Sequence, residues 1–136
     1  MLHQISVFLT NKPGILAELT KIIREKNINI RAMTVADTAD FGILRIIVDK
    51  TSECIKLLEE NKYLYSTTDV LGVDVPDKPG SLHKIAILLG ENDINIEYLY
   101  STILRDEAII ILRVNDTRRA KDVLLKNNFK LIDVLK

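Results

Sequence analysis

Two tetrapeptides in this chain of 136 residues carry the types and spacing that chemistry requires: Asn11-Lys12-Pro13-Gly14 and Asp77-Lys78-Pro79-Gly80. Each stands between an alternating apolar segment and one with helical spacing. A helix that starts after such a turn leaves backbone N–H groups unpaired and carries partial positive charge, which suits a carboxylate. Glycine allows that carboxylate close to the backbone. It also supplies the left-handed torsion that a strand-to-helix turn needs with no ligand at all. Eighteen residues after Asn11 and Asp77 come Asn29 and Asn95, each between two isoleucines. A polar amide is unusual inside a strand. It either caps the strand entry or bonds the charged group of a ligand.

These two sets are copies of one another. Sliding the chain by 66 residues lays Lys12-Pro13-Gly14 on Lys78-Pro79-Gly80 and Ile28-Asn29-Ile30 on Ile94-Asn95-Ile96. Glu25 then meets Glu91, Asp40 meets Asp106, Val48 meets Val114, Leu58 meets Leu124 and Asn61 meets Asn127, with no gap. An internal duplication of this period defines two units, 1–68 and 69–136. A unit that small buries only about 60% of the surface its unfolded chain exposes, so the halves are expected to share a buried interface.

The elements that position the turns follow from periodicity. Ile5, Val7 and Leu9 alternate with Gln4, Ser6 and Phe8, as in a strand with one apolar face. Pro13 suits the first turn of a helix, and Ile15, Leu16, Leu19, Ile22 and Ile23 recur at helical spacing through Lys26. Asn27 stops this helix, since it tolerates the left-handed region. Ile28 to Ala36 reads as a second strand, Thr38-Ala39-Asp40 as a turn and Gly42 to Asp49 as a third strand. Thr51 or Ser52 can cap a second helix with Ile55, Leu57 and Leu58 inward. Tyr63 to Thr68 is a fourth strand. The second copy repeats the order: strand 70–75, helix 81–91, strands 94–102 and 108–114, helix 118–126, strand 130–135. The fold class is α+β: two tandem ferredoxin-like βαββαβ units, each an antiparallel sheet with both helices on one face. In the third strand of copy two, Ile109 and Ile111 oppose Ile110, Leu112 and Val114, so both faces are apolar. A facing sheet or a second chain is expected to cover the outer one.

Composition narrows the function classes. Nineteen Lys and Arg balance nineteen Asp and Glu, and the absence of a basic run argues against a nucleic-acid or membrane-surface partner. The lone Cys54 rules out an internal disulfide and a cysteine-based metal site within one chain. No stretch approaches the roughly 20 apolar residues of a spanning helix, and no signal segment opens the chain, so a cytoplasmic location is expected. There is no Ser–His–Asp or Cys–His set, no HExxH and no phosphate loop, so no catalytic residues, cofactor or metal are expected. An RNA-binding version of this architecture would need exposed aromatics on its central strands.

Strand, Asn/Asp-Lys-Pro-Gly, amphipathic helix, Ile-Asn-Ile and an isoleucine-rich third strand together resemble the ACT domain, the small-molecule-sensing module of amino-acid metabolism. The resemblance runs through nearly the whole chain twice and is strongest to stand-alone tandem ACT proteins. Ala39 to Arg45 and Ile96-Glu97-Tyr98 add to it. It implies a non-catalytic regulatory protein that binds a free amino acid, or a close carboxylate analogue, where two ACT units meet. The implied site residues are Asn11, Lys12, Gly14, Ile15, Leu16, Asn29 and Ile30 in copy one. In copy two they are Asp77, Lys78, Gly80, Ser81, Leu82, Asn95 and Ile96. Asp77 in place of Asn11 and Ser81 in place of Ile15 make the two sites chemically unequal. The implied partners are the effector, a second copy in a homodimer and an enzyme of amino-acid metabolism. The alternative is an interaction subunit that docks on a biosynthetic enzyme with no ligand of its own. His3 reads as structural or exposed; His83 reads first as a surface residue, although it stands near enough to Gly80 to reach a ligand. Tyr98 and Tyr100 share a strand face near Asn95 and serve either a cleft or a core.

Overall fold

The computed structural model describes residues 1–37, 41–104 and 106–135, so the expected turn at Thr38-Ala39-Asp40 lies outside the described residues. The chain divides into two compact units. One is His3–Thr68 together with Leu135; the other is Asp69–Val134 together with Met1–Leu2.

In the N-terminal unit, β1 (Leu2–Thr10), α1 (Ile15–Glu25), β2 (Ile30–Asp37), β3 (Phe41–Val48) and α2 (Thr51–Glu60) are followed by β4 (Leu64–Pro76). The antiparallel sheet runs β2-β3-β1-β4, with Val7 opposite Leu44 and Val35 opposite Leu44 on the other side. The core lies between this sheet and the helices: Ile5, Val7, Leu9, Leu44 and Ile46 meet Leu19, Ile23, Leu57 and Leu58. Cys54 is fully buried among them. Ile55 is only half-buried, so Cys54 holds part of the inward position expected of it.

The C-terminal unit uses the later residues of β4 with α3 (Ser81–Glu91), β5 (Ile96–Leu104), β6 (Glu107–Val114), α4 (Thr117–Lys126) and β7 (Lys130–Ile132). β4 stands between β7 and β6, and β5 lies outside β6. Its core repeats the first, with Leu71, Val73, Ile110 and Leu112 against Ile85, Leu89, Ala120 and Leu124. Both units are ferredoxin-like.

Several expected boundaries move for physical reasons. The fourth strand of one copy and the first of the next are a single strand, unbroken at Asp69. β2 and β5 start two residues later than expected because Ile28 and Ile94 close the preceding helices. Their N–H groups donate to the carbonyls of Ile23 (3.2 Å) and Leu89 (2.9 Å), the pattern of a left-handed helix end. Asn27 (φ 56°) and Asp93 (φ 57°) hold that left-handed conformation. Neither Thr51 nor Ser52 caps α2: both lie inside it, Lys50 precedes it, and no side chain caps it. At the equivalent place in copy two, the Asp116 carboxylate accepts from the Arg119 N–H at 3.1 Å and caps α4. β7 ends at Ile132, short of the expected Leu135.

Ile109 and Ile111 are 3% and 0% exposed. Their side of the sheet is therefore covered within the single chain, and a second chain is not required for it. Gln4 and Ser6 on the corresponding side of β1 are buried too, with the Gln4 amide donating to the Ser6 hydroxyl at 3.3 Å.

Candidate functional site

Each Lys-Pro-Gly segment forms a tight turn, not the opening of a helix. The Ile15 N–H donates to the Lys12 carbonyl at 3.4 Å, and the Ser81 N–H to the Lys78 carbonyl at 3.3 Å. Pro13 and Pro79 therefore precede the helices, the first residues of which are Ile15 and Ser81. Gly14 (φ 85°, ψ −9°) and Gly80 (φ 94°, ψ −13°) adopt the left-handed conformation, as the third residue of a type II turn requires. A Cβ on either glycine would meet no atom within 4 Å. The torsion alone selects glycine, and open space lies beside it.

The helix starts are uncapped by any side chain. The first helical bonds run from Glu18 to Gly14 (3.0 Å) and from Lys84 to Gly80 (3.1 Å). The N–H groups of Leu16 and Ala17, and those of Leu82 and His83, have no acceptor among the described residues. Two such groups side by side, at the positive end of a helix of 11 residues, fit a carboxylate. Leu16, Leu82 and His83 are exposed at this rim, and Ile15 is half-buried.

The side chains at the two turns differ. The Asn11 amide donates to Asp37 Oδ1 at 3.3 Å, linking the turn to the end of β2. Asp77 has Ile103 where Asn11 has Asp37; the Asp77 backbone N–H donates to the Asp106 carbonyl at 3.0 Å. The Ser81 hydroxyl donates to the Pro76 carbonyl at 2.6 Å, a bond Ile15 cannot make.

Asn29 and Asn95 lie away from these turns within their own units. Each helix ends where the following strand begins, so Asn29 and Gly14 are separated by the length of α1, about 16 Å at 1.5 Å per residue. The Asn29 N–H donates to Asp49 Oδ1 at 2.9 Å at the far end of the sheet, and the Asn95 N–H makes the same bond to Asn115. Both amide side chains are exposed. Asn29 and Ile30 line an open groove of about 510 Å³ with Thr20, Arg24 and Asn27. The expected site residues thus form two separate clusters in each unit. Tyr100, opposite Ile111, is buried on the sheet face turned from the helices.

Among the described residues no group of three or more His, Cys, Asp or Glu side chains could hold a metal ion. Burial pushes the Cys54 thiol up to about 11, so it stays protonated and unreactive. Among the described residues no helix is long and apolar enough to cross a membrane.

Comparison with known families finds a duplication too: the family described as an ACT domain pair matches residues 1–135. The chain belongs to that family. A protein of solved structure from Bacteroides thetaiotaomicron is 36% identical, with a TM-score of 0.92 over 96% of this ACT pair and 91% of that chain. The acetolactate synthase small subunit of Aquifex aeolicus is 29% identical over 133 residues. That match takes in 97% of this ACT pair but only 64% of the relative's length. The ligand-free regulatory subunit of aspartate kinase from Thermus thermophilus shares the fold, with a TM-score of 0.70 at 16% identity over 93% of each chain.

Proposed function

We propose that this ACT pair is a non-catalytic regulatory protein whose effector is a free amino acid or a close carboxylate analogue. The observation that carries the reading is the pair of unpaired N–H groups behind each left-handed glycine, with open space where a Cβ would stand. The halves 1–68 and 69–136 each contribute one such turn. Asn11, Lys12, Gly14, Ile15 and Leu16 in one, and Asp77, Lys78, Gly80, Ser81 and Leu82 in the other, hold the carboxylate end of a ligand. Asn29, Ile30, Asn95 and Ile96 hold the other end.

Because turn and asparagine stand a helix length apart within a unit, one small ligand touching both draws them from two units. Among the described residues β2 and β5 each pair on one side only. A strand from a second chain laid antiparallel along either edge sets its start beside the other's end. That brings an asparagine of one protomer toward a turn of the other, so a homodimer is part of the proposal. Ligand binding then favours one packing of units through its different affinity for the two arrangements.

The Aquifex relative is by its name the companion of a synthase. An amino-acid biosynthetic enzyme in the cytoplasm is accordingly the target of this regulation, and no reaction is assigned to the chain itself. A thermal-shift panel of the twenty amino acids tests the reading. A ligand at one hundred times its dissociation constant adds about 2.7 kcal/mol, several degrees for a chain of this size. No shift with any amino acid or related acid would leave docking on an enzyme, without a ligand, as the function.

A further inference from the structure

The duplication supplies an internal control, because one place on the two copies carries different chemistry. Beside the Asp77–Ser81 turn lies a cavity of about 320 Å³ lined by Asp74, Lys78, Ser81, Lys84, Asn128 and Lys130, among others. Stepping back by 66 residues turns these into Phe8, Lys12, Ile15, Glu18, Lys62 and Leu64. The cavity at that place in the first copy, about 240 Å³, is lined by Phe8, Leu9, Thr10, Phe41 and Leu64. An apolar hollow in one copy is thus a lysine-lined one in the other.

We propose that the lysine-lined cavity of the C-terminal unit binds a small dianion of the phosphate type, free or as a phosphate monoester. Its three lysines come from three elements: Lys78 from the turn, Lys84 from the first turn of α3 and Lys130 from β7. Asp74, with its side chain 8% exposed, accepts from Lys130 at 3.2 Å and fixes that ammonium, which is itself 71% exposed. Neither Lys78 nor Lys84 has an acidic partner among the described residues. Three ammonium groups against one carboxylate leave the cavity with an excess of two positive charges, which a dianion neutralises. The volume sits at the lower end of the range for ligand pockets, so the ligand is a small molecule and not a polymer. Lysine serves such a group as a mobile point charge, and the affinity falls as salt rises. The site shares Lys78 and Ser81 with the carboxylate end proposed above but rests on its lysines and not on that reading; Leu82, His83 and Asn95 play no part in it.

The test is a ¹H–¹⁵N titration of the full chain with inorganic phosphate, against sodium chloride at equal ionic strength. Saturable shifts confined to Lys78, Ser81, Lys84, Asn128 and Lys130 are expected, with none at Lys12, Ile15, Glu18, Lys62 or Leu64. Lys84→Glu installs the residue of the first copy on an exposed helix position. It should weaken phosphate about three- to five-fold or more, and Lys78→Gln checks the same loss without reversing a charge. A glycerol phosphate arm separates the sources: tighter binding than inorganic phosphate assigns the site to a monoester, equal binding to the free ion. Unsaturable drift, equal shifts in both copies, or affinity untouched by both variants would overturn the proposal. The amino-acid panel would stand unaffected.

Discussion

Asn95 and Asn115 exchange two hydrogen bonds: the Asn95 N–H reaches Asn115 Oδ1 at 2.9 Å, and the Asn115 N–H returns to the Asn95 carbonyl at 3.1 Å. Asn29 and Asp49 do the same in the first copy, at 2.9 and 3.1 Å. The strand entry is therefore held by the backbone of the earlier residue and the side chain of the later one. The side chain of Asn95 is left exposed.

This division separates stability from binding. Asn115→Ala removes the acceptor of the Asn95 N–H and should cost about 0.5–1.5 kcal/mol in denaturant unfolding. Asn95→Ala removes no such bond and should stay within about 0.5 kcal/mol of the parent. On the amino-acid reading it weakens ligand by about 1.5–3 kcal/mol, roughly ten- to a hundred-fold, as titration calorimetry would read. Affinity within twofold of the parent for both Asn95→Ala and Asn29→Ala would remove the amides from the site.

Gly14→Ala and Gly80→Ala act through torsion and reach, not collision. Neither Cβ meets an atom within 4 Å, but φ of 85° and 94° strains any L side chain, at about 1 kcal/mol. Far-UV circular dichroism should be unchanged. Ligand binding should fall by more than the stability loss accounts for, because the methyl group occupies the approach to the helix start. Equal losses in stability and affinity would assign the glycines to the turn alone.

What was legible in the sequence is the local chemistry. The left-handed torsions at Gly14, Gly80 and Asn27, the bounds of α3 and the covered face of Ile109 and Ile111 all follow from residue type or periodicity. The continuity of β4 was hidden because Asp69 looks like a break between two apolar runs, whereas a strand can carry one polar residue through. Asp116, the cap of α4, was missed although an acid before Thr117 is a helix-start signal. The separation of Asn29 from Gly14 was hidden for another reason. Spacing along the chain gives no direction, and an antiparallel sheet sends the strand entry to the end opposite the turn.

Cys54 ties pH to stability. Burial raises its folded pKa from 9.0 to about 11. Below pH 9 the thiol is neutral in both states and contributes no difference. Between pH 9 and 11 the unfolded chain ionises while the folded chain does not, so stability falls across that window. Cys54→Ala should start less stable at pH 8, through the cavity it leaves, and lose less between pH 9 and 11. Urea melts of both proteins at three pH values read the difference, and parallel slopes would contradict it. A disulfide reagent at pH 8 should modify the native thiol far more slowly than the unfolded one.

The last expectation concerns assembly through the free edges. Met33 and Val35 on β2 sit opposite Ile46 and Leu44, and Leu99 and Ile103 on β5 sit opposite Leu112 and Ala108. All four therefore share the side of the sheet that carries the helices. Yet Met33 is 57% and Ile103 61% exposed, because both strands lie at an edge. An exposed apolar edge with unpaired backbone is a template for another strand. If two chains meet there, Met33→Lys with Ile103→Lys should shift a dimer toward monomer in sedimentation at tens of micromolar. Since neither side chain is buried within the chain, unfolding free energy measured at low concentration should move by no more than about 0.5 kcal/mol for each. Amino-acid binding should fall together with the dimer, as a site assembled from two protomers requires. A parent protein that is a clean monomer at these concentrations would rule out that shared site, while an amino acid bound by such a monomer would assign the effector to one unit alone.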